Sequence, residues 1–156
     1  MNLPLKGSEV SAVGHAEELT LIHGALLALR RGDSKAKLPL QGTPAFGKVA
    51  EVFNDLVEQN VMMAEEFARL AQKVGKEGKL KSRASLPNAR GFWAQKVDSI
   101  NSLIDDLVSP THETARVIGA VAKGDLSQSM VLESGGRRLE GEFLRTAMIV
   151  NSMVDQ

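Results

Sequence analysis

Three glycines, Gly32, Gly78 and Gly124, stand 46 residues apart from one to the next. That period points to a serial architecture in which one structural unit recurs. Six residues after each glycine comes Leu38, Ala84 or Met130, and eight residues after comes Leu40, Leu86 or Leu132. Farther on an asparagine follows an apolar residue: Phe53-Asn54, Ile100-Asn101 and Val150-Asn151. An aromatic residue stands eight positions before each asparagine (Phe46, Trp93, Phe143), and Leu56, Leu103 or Met153 stands two positions after it. The glycine-to-asparagine distance is 22, 23 and 27 residues, so length differences fall between them.

Each unit reads as helix, extended connector, helix. The glycine ends the first helix by taking the left-handed conformation. The connectors carry breakers (Pro39, Gly42 and Pro44; Pro87; Gly135-Gly136) and two apolar anchors two residues apart, a spacing that puts both on one side of an extended strand. The second helix starts near the aromatic. Phe46, Val49, Phe53, Leu56, Asn60, Met63, Phe67, Leu70 and Val74 alternate steps of three and four, with no Pro or Gly over residues 49–73. This is a heptad seam of about four heptads. A second stripe of Val57, Val61, Ala64, Ala68 and Ala71 widens the apolar face to what a four-helix core requires. Trp93, Val97, Ile100, Ile104 and Leu107 repeat the pattern, and so do Leu19, Ile22, Leu26 and Leu29 on the first helix. The second helix of the first unit runs into the first helix of the second. Between the second and third units Ser109-Pro110-Thr111 interrupts, as a restart or a kink.

Composition narrows the function. The 19 basic and 19 acidic residues balance, which argues against nucleic acid as a partner. There is no cysteine, and the five Phe, one Trp and absent Tyr are few for an enzyme pocket but sufficient for a helical bundle. No apolar run approaches the roughly 20 residues of a membrane span, and residues 1–13 lack the layout of a secretory signal. The chain stops in mid-pattern and is read as a fragment with a cytoplasmic setting.

These residues resemble HAMP domains, the signalling linkers of sensor histidine kinases and chemoreceptors. Residues 115–156 match that pattern best, with Gly124-Asp125-Leu126 and Glu142-Phe143 ahead of Asn151. The stretch from Val74-Gly75-Lys76-Glu77-Gly78 through Gly91-Phe92-Trp93 to Lys123-Gly124-Asp125-Leu126 is similar to tandem HAMP arrays of hybrid histidine kinases. The first unit departs with Ser34 where the family prefers Leu, and neither of the first two units has the Glu that opens the second helix. The resemblance implies a parallel homodimer in which each unit is a four-helix bundle, switching between packing arrangements to control a kinase or receptor output domain in the same chain.

The expected fold is therefore all-α: a flexible segment over residues 1–16, then units over 17–61, 62–109 and 110–156, stacked as an elongated rod of parallel four-helix bundles in a homodimer. No catalytic, metal or cofactor site is expected. His15, His23 and His112 lie far apart, outside any metal-ligand spacing, and are read as surface or packing residues. The glycines lack the P-loop Lys-Ser/Thr and are turns. Asn60 either sets register from inside the seam or is solvated while Val61 takes the core position. Asn54, Asn101 and Asn151 are either exposed or bonded to the connector. Glu142 either bonds free backbone amides or favours the positive end of its helix. The residues expected to carry signalling are the glycine turns with Asp125 and Leu126, the anchors, the aromatics, Pro110, the asparagines and Glu142. Two rivals stand beside the kinase-linked relay: the same relay in a chemoreceptor, and a passive coiled-coil spacer. A monomeric ligand-binding bundle would need a polar cavity that the pattern does not supply.

Overall fold

Helix α1 opens the described chain at Gly7 and ends at Arg30. Residues 7–16, expected to be flexible, are thus helical, and the computed structural model describes residues 7–155. The chain divides between Ala68 and Arg69 into two compact units.

In the first unit, α1 is followed by a connector and by α2, Pro44–Leu70. Thr43 sets the start of α2: its hydroxyl accepts the Phe46 N–H at 3.3 Å, and Pro44 occupies the first helical position, where a missing N–H costs nothing. Ala25 of α1, Ala36 and Leu38 of the connector, and Phe46, Ala50, Phe53 and Val57 of α2 form the core, with Ile22, Ala28, Leu29 and Val61 packed against it. The expected stripes therefore split by face. Ile22 and Leu29 turn inward, while Leu19 and Leu26 are 66% and 51% exposed. On α2, Phe46, Phe53, Met63 and Leu70 are buried, whereas Val49, Leu56 and Phe67 are exposed. Asn60 is exposed and donates to the Leu56 carbonyl one turn back, while Val61 packs on the core. The helix face drifts past Asn60 as 3.6-residue geometry requires.

In the second unit the helix continues from Leu70 as a π-helical turn, Ala71–Lys76. Helix α3 follows over Phe92–Val121 and α4 over Gly141–Val154. Pro110 does not interrupt α3. It lies buried inside the helix, and the neighbouring hydroxyls of Thr111 and Thr114 donate to the Leu107 and Pro110 carbonyls at 2.8 and 2.9 Å. These bonds tie down the turn where proline removes an amide.

The all-α expectation needs one correction. The third connector holds a two-stranded antiparallel hairpin, β1 (Glu133–Ser134) and β2 (Arg137–Arg138), with Ser134 opposite Arg137. Gly135 and Gly136 have φ of 58° and 75°, the pair of positive values a tight two-residue hairpin turn needs. Two apolar clusters fill this unit. Leu70, Ala84 and Ile104 form one, with Val74, Val97, Ile100 and Val108 against it. Val117, Met130, Leu139, Ala147, Val150 and Val154 form the other, with Val121, Leu132 and Leu144 against it.

Candidate functional site: three asparagine clasps

The same two hydrogen bonds occur once on each connector. Asn54 Oδ1 accepts the Leu38 N–H at 2.9 Å, and its Nδ2 donates to the Leu38 carbonyl at 3.0 Å. Asn101 holds Ala84 in the same way at 2.7 and 3.1 Å, and Asn151 holds Met130 at 2.7 and 3.1 Å. An amide side chain is suited to this because it carries a donor and an acceptor side by side. The held residue is buried in each case: Leu38 is 1%, Ala84 6% and Met130 3% exposed. An extended connector has no ladder partner for its backbone, so the clasp satisfies an amide and a carbonyl that burial would otherwise leave costly.

The helix exits are built alike at two of the three glycines. Gly32 and Gly124 have φ of 79° and 81°. Their N–H groups bond to Leu29 and Val121, and the next amides, of Asp33 and Asp125, reach back to Ala28 and Ala120 at 3.0 Å. This is the double closure that ends a helix in the left-handed conformation. The aspartate then shapes the following turn. Asp33 Oδ1 accepts the Lys35 N–H, and Asp125 Oδ1 accepts both the N–H and the hydroxyl of Ser127. The Ser127 bonds hold the Asp125 carboxyl below its usual range. Leu126, beside it, is 59% exposed. Gly78 also has positive φ, but the residue after it is Lys79, which pairs with Glu77 at 2.8 Å.

Anchor by anchor, the structure departs from the spacing. Leu86 is buried and Leu132 half-buried, but Leu40 is 56% exposed. The chain bends at Leu40 to enter α2, so in-out alternation ends at Leu38, and Ala36 is the second buried residue of that connector. In the third connector the hairpin returns Leu139 to Leu132, its N–H bonding the Leu132 carbonyl at 2.8 Å, and Leu139 supplies the added buried anchor. The signal was available in the Gly-Gly pair, which sets those two leucines opposite one another.

The three aromatics are not equivalent. Phe46 is buried, and Phe143 is 38% exposed. Trp93 is half-buried, its ring 4.7 Å from that of Phe92, with the Lys96 ammonium 4.6 Å from its centroid. Glu142 lies in the first turn of α4, where the helix end favours an acid, but it points into solvent and pairs with Arg145 at 3.6 Å, and the cap residue, Glu140, makes no side-chain cap bond. A carboxylate does reach the start of α2. Glu18, on α1, accepts the Thr43 N–H at 2.6 Å and the Thr43 hydroxyl at 2.9 Å.

Arginines add to the hold on two connectors. Arg83 pairs with Asp105 of α3 and donates to the Leu80 and Ser82 carbonyls. Arg116 of α3 donates to the Gln128 side chain and the Ser129 carbonyl, and pairs with Glu113 at 2.7 Å. That guanidinium holds the Glu113 carboxyl below its usual range. His15, His23 and His112 are exposed. Among the described residues no side-chain group is arranged to hold a metal, no polar residue is buried, and no helix is long and apolar enough to cross a membrane. What these bonds do is positional: they hold connector backbone against helices.

Residues 88–156 match the HAMP domain family. The matched stretch takes in α3, the third connector and α4. Over 123 residues the chain is 28% identical to the methyl-accepting chemotaxis protein McpB of Pseudomonas aeruginosa, covering 71% of this chain and 18% of that protein. No solved structure matches.

Proposed function

We propose that the chain is a signal relay of a chemotaxis receptor, made of three HAMP-like units in series over residues 17–61, 62–109 and 110–156, and working as a parallel homodimer. The observation that carries this reading is the triple clasp. The bonds that fix the third connector, inside the family match, recur at Leu38 and Ala84. A passive spacer has no use for connectors pinned to a helix at the same point each time. The chemotaxis relative supports a receptor as the output, in place of the histidine kinase that the resemblance implied.

The dimer is supported by what one chain leaves open. Leu19 and Leu26, Val52 and Leu56, Leu103 and Leu107, and Met148, Ile149 and Met153 are all between 40% and 66% exposed. Apolar area on this scale marks an association surface. The same faces of a second chain running in the same direction are the occupants we assign. In the relay, a stimulus moves one helix of a unit, and the clasped connector carries the displacement to the next helix. Packed cores have discrete arrangements, so the movement is a switch between two packings.

The absence of cysteine makes the test clean. Leu103→Cys and Met153→Cys variants, oxidised singly, are expected to form cross-linked pairs, and sedimentation to report two chains. A single chain at all concentrations, or cross-links only between Leu103→Cys and Met153→Cys chains, would overturn the reading.

A further inference from the structure

The second helix exit contains one residue too many. Ala25, Leu70 and Val117 are the buried helix residues ahead of Gly32, Gly78 and Gly124. Ala25 and Val117 precede their glycines by seven residues, Leu70 by eight. The half-buried residues nearer the turn narrow the position further: Leu29 and Val121 stand three before their glycines, Val74 four before Gly78. The excess therefore lies within residues 75–77. That stretch overlaps the end of the π turn Ala71–Lys76, which buries no residue.

The closing bonds show the same offset. Asp33 and Asp125 reach back five residues, to Ala28 and Ala120, whereas Lys79 reaches back six, to the Lys73 carbonyl at 2.8 Å. Glu77 N–H bonds Gln72, the five-residue step of a π turn, and the Glu77 carboxylate is held by Lys73 at 3.0 Å and Lys79 at 2.8 Å. A π turn inserts one residue into an α-helix; such turns are rare and are found frequently at functional sites.

We propose that this π turn is the yielding joint of the relay, exchanging between the π winding and an α winding of residues 71–78. The inference rests on the relay reading for its role, but not for its geometry. Winding to α moves Gly78 by about 100° around the helix and about 1.5 Å along it relative to Leu70. Ala84, six residues on, is clasped to Asn101. The second connector therefore either keeps its clasp and leaves the helix over-wide, or follows the glycine and strains the clasp. The other two exits, with no excess residue, have no such choice. Glu77, gripped by two lysines, is the latch on the π side, and Gly75, inside the turn, weakens the helix where it must rewind.

Hydrogen exchange on the full chain tests this. Amides of residues 75–79 are expected to exchange at least about tenfold faster than those of 29–33 and 121–125, since a segment that samples two windings opens more often. Deleting Lys76 restores the seven-residue spacing and is expected to bring exchange to within about twofold of the other two exits. Gly75→Ala is the variant that keeps the length. A Cβ there meets nothing within 4 Å, so it is expected to fold and to slow the exchange. Wild-type exchange as slow as at the other exits would overturn the proposal, as would fast exchange that survives both changes. Sedimentation of the same samples reports chain association separately, so failure of the dimeric relay and failure of this joint are read from different measurements.

Discussion

Replacing Asn151 by Ala removes both bonds to Met130, at 2.7 and 3.1 Å, and leaves the Met130 amide and carbonyl without partners. Each neutral hydrogen bond contributes about 0.5–1.5 kcal/mol net, and a buried backbone group left unpaired costs about 1–3 kcal/mol. Met130 is 3% exposed, so water does not take the place of the side chain without opening the core. The expected loss is about 2–4 kcal/mol, which at roughly 2–4 °C per kcal/mol for a chain of this size lowers the melting temperature by about 4–16 °C. Thermal melts must compare wild type and variant at one protein concentration, because association shifts the midpoint.

Asn151→Asp sharpens the test. It keeps an acceptor for the Met130 N–H but turns a carboxylate oxygen toward the Met130 carbonyl, where only a donor fits. A protonated carboxyl restores the donor, so folding favours the proton and raises the Asp pKa above its ordinary value of about 3.9. The variant's stability is then fullest below that ordinary value and falls as pH rises through the raised one. Its deficit against wild type should therefore shrink on acidification. A melting temperature for Asn151→Ala within about 1 °C of wild type, or an Asp deficit that grows toward low pH, would refute the two-bond account.

The first connector offers a contrast between neighbours. Leu38→Ala should cost about 2–5 kcal/mol in a denaturant melt, as a fully buried leucine does, while Leu40→Ala, at a site 56% exposed, should cost far less. Glu113 provides a pH signature. Its carboxyl is held below the usual 4.5, mainly by Arg116, so what it adds is present above that value and lost as pH falls through the lowered one. Glu113→Gln should melt below wild type near neutral pH and converge with it in acid, as scans from about pH 6 to 2.5 would show.

How far the residues alone foretold this depends on the kind of signal. The glycine exits were legible because left-handed backbone is a property of one residue and its neighbours. The asparagines were legible as recurring positions, and the structure resolves which of the two readings holds for their bonds. Leu40 misled, because a two-residue alternation carries no information about where the strand bends into a helix. Leu139 was missed for a related reason: its burial depends on a hairpin that folds residues 133–138 out of the way. Glu18 and Arg116 act across elements, and nothing in their local sequence announces a partner 25 or 12 residues distant. Of the two readings open at Pro110, a restart and a kink, the continuous helix removes the restart. Buried packing and two threonine hydroxyls hold the helix together around the missing amide without replacing it.

Helix α3 is one continuous piece that takes part in two different cores, with Ile104 in one and Val117 in the other. Torsion applied at Asn101 has no loop in which to dissipate before it arrives at Thr114, where the hydroxyl donates to the Pro110 carbonyl and meets the Met130 sulfur. The weakest link on that route is the missing amide at residue 110, opposite the Asp106 carbonyl. A helix so arranged behaves as a shaft with one compliant collar: it delivers the turn, but the collar sets how much of the angle is lost on the way.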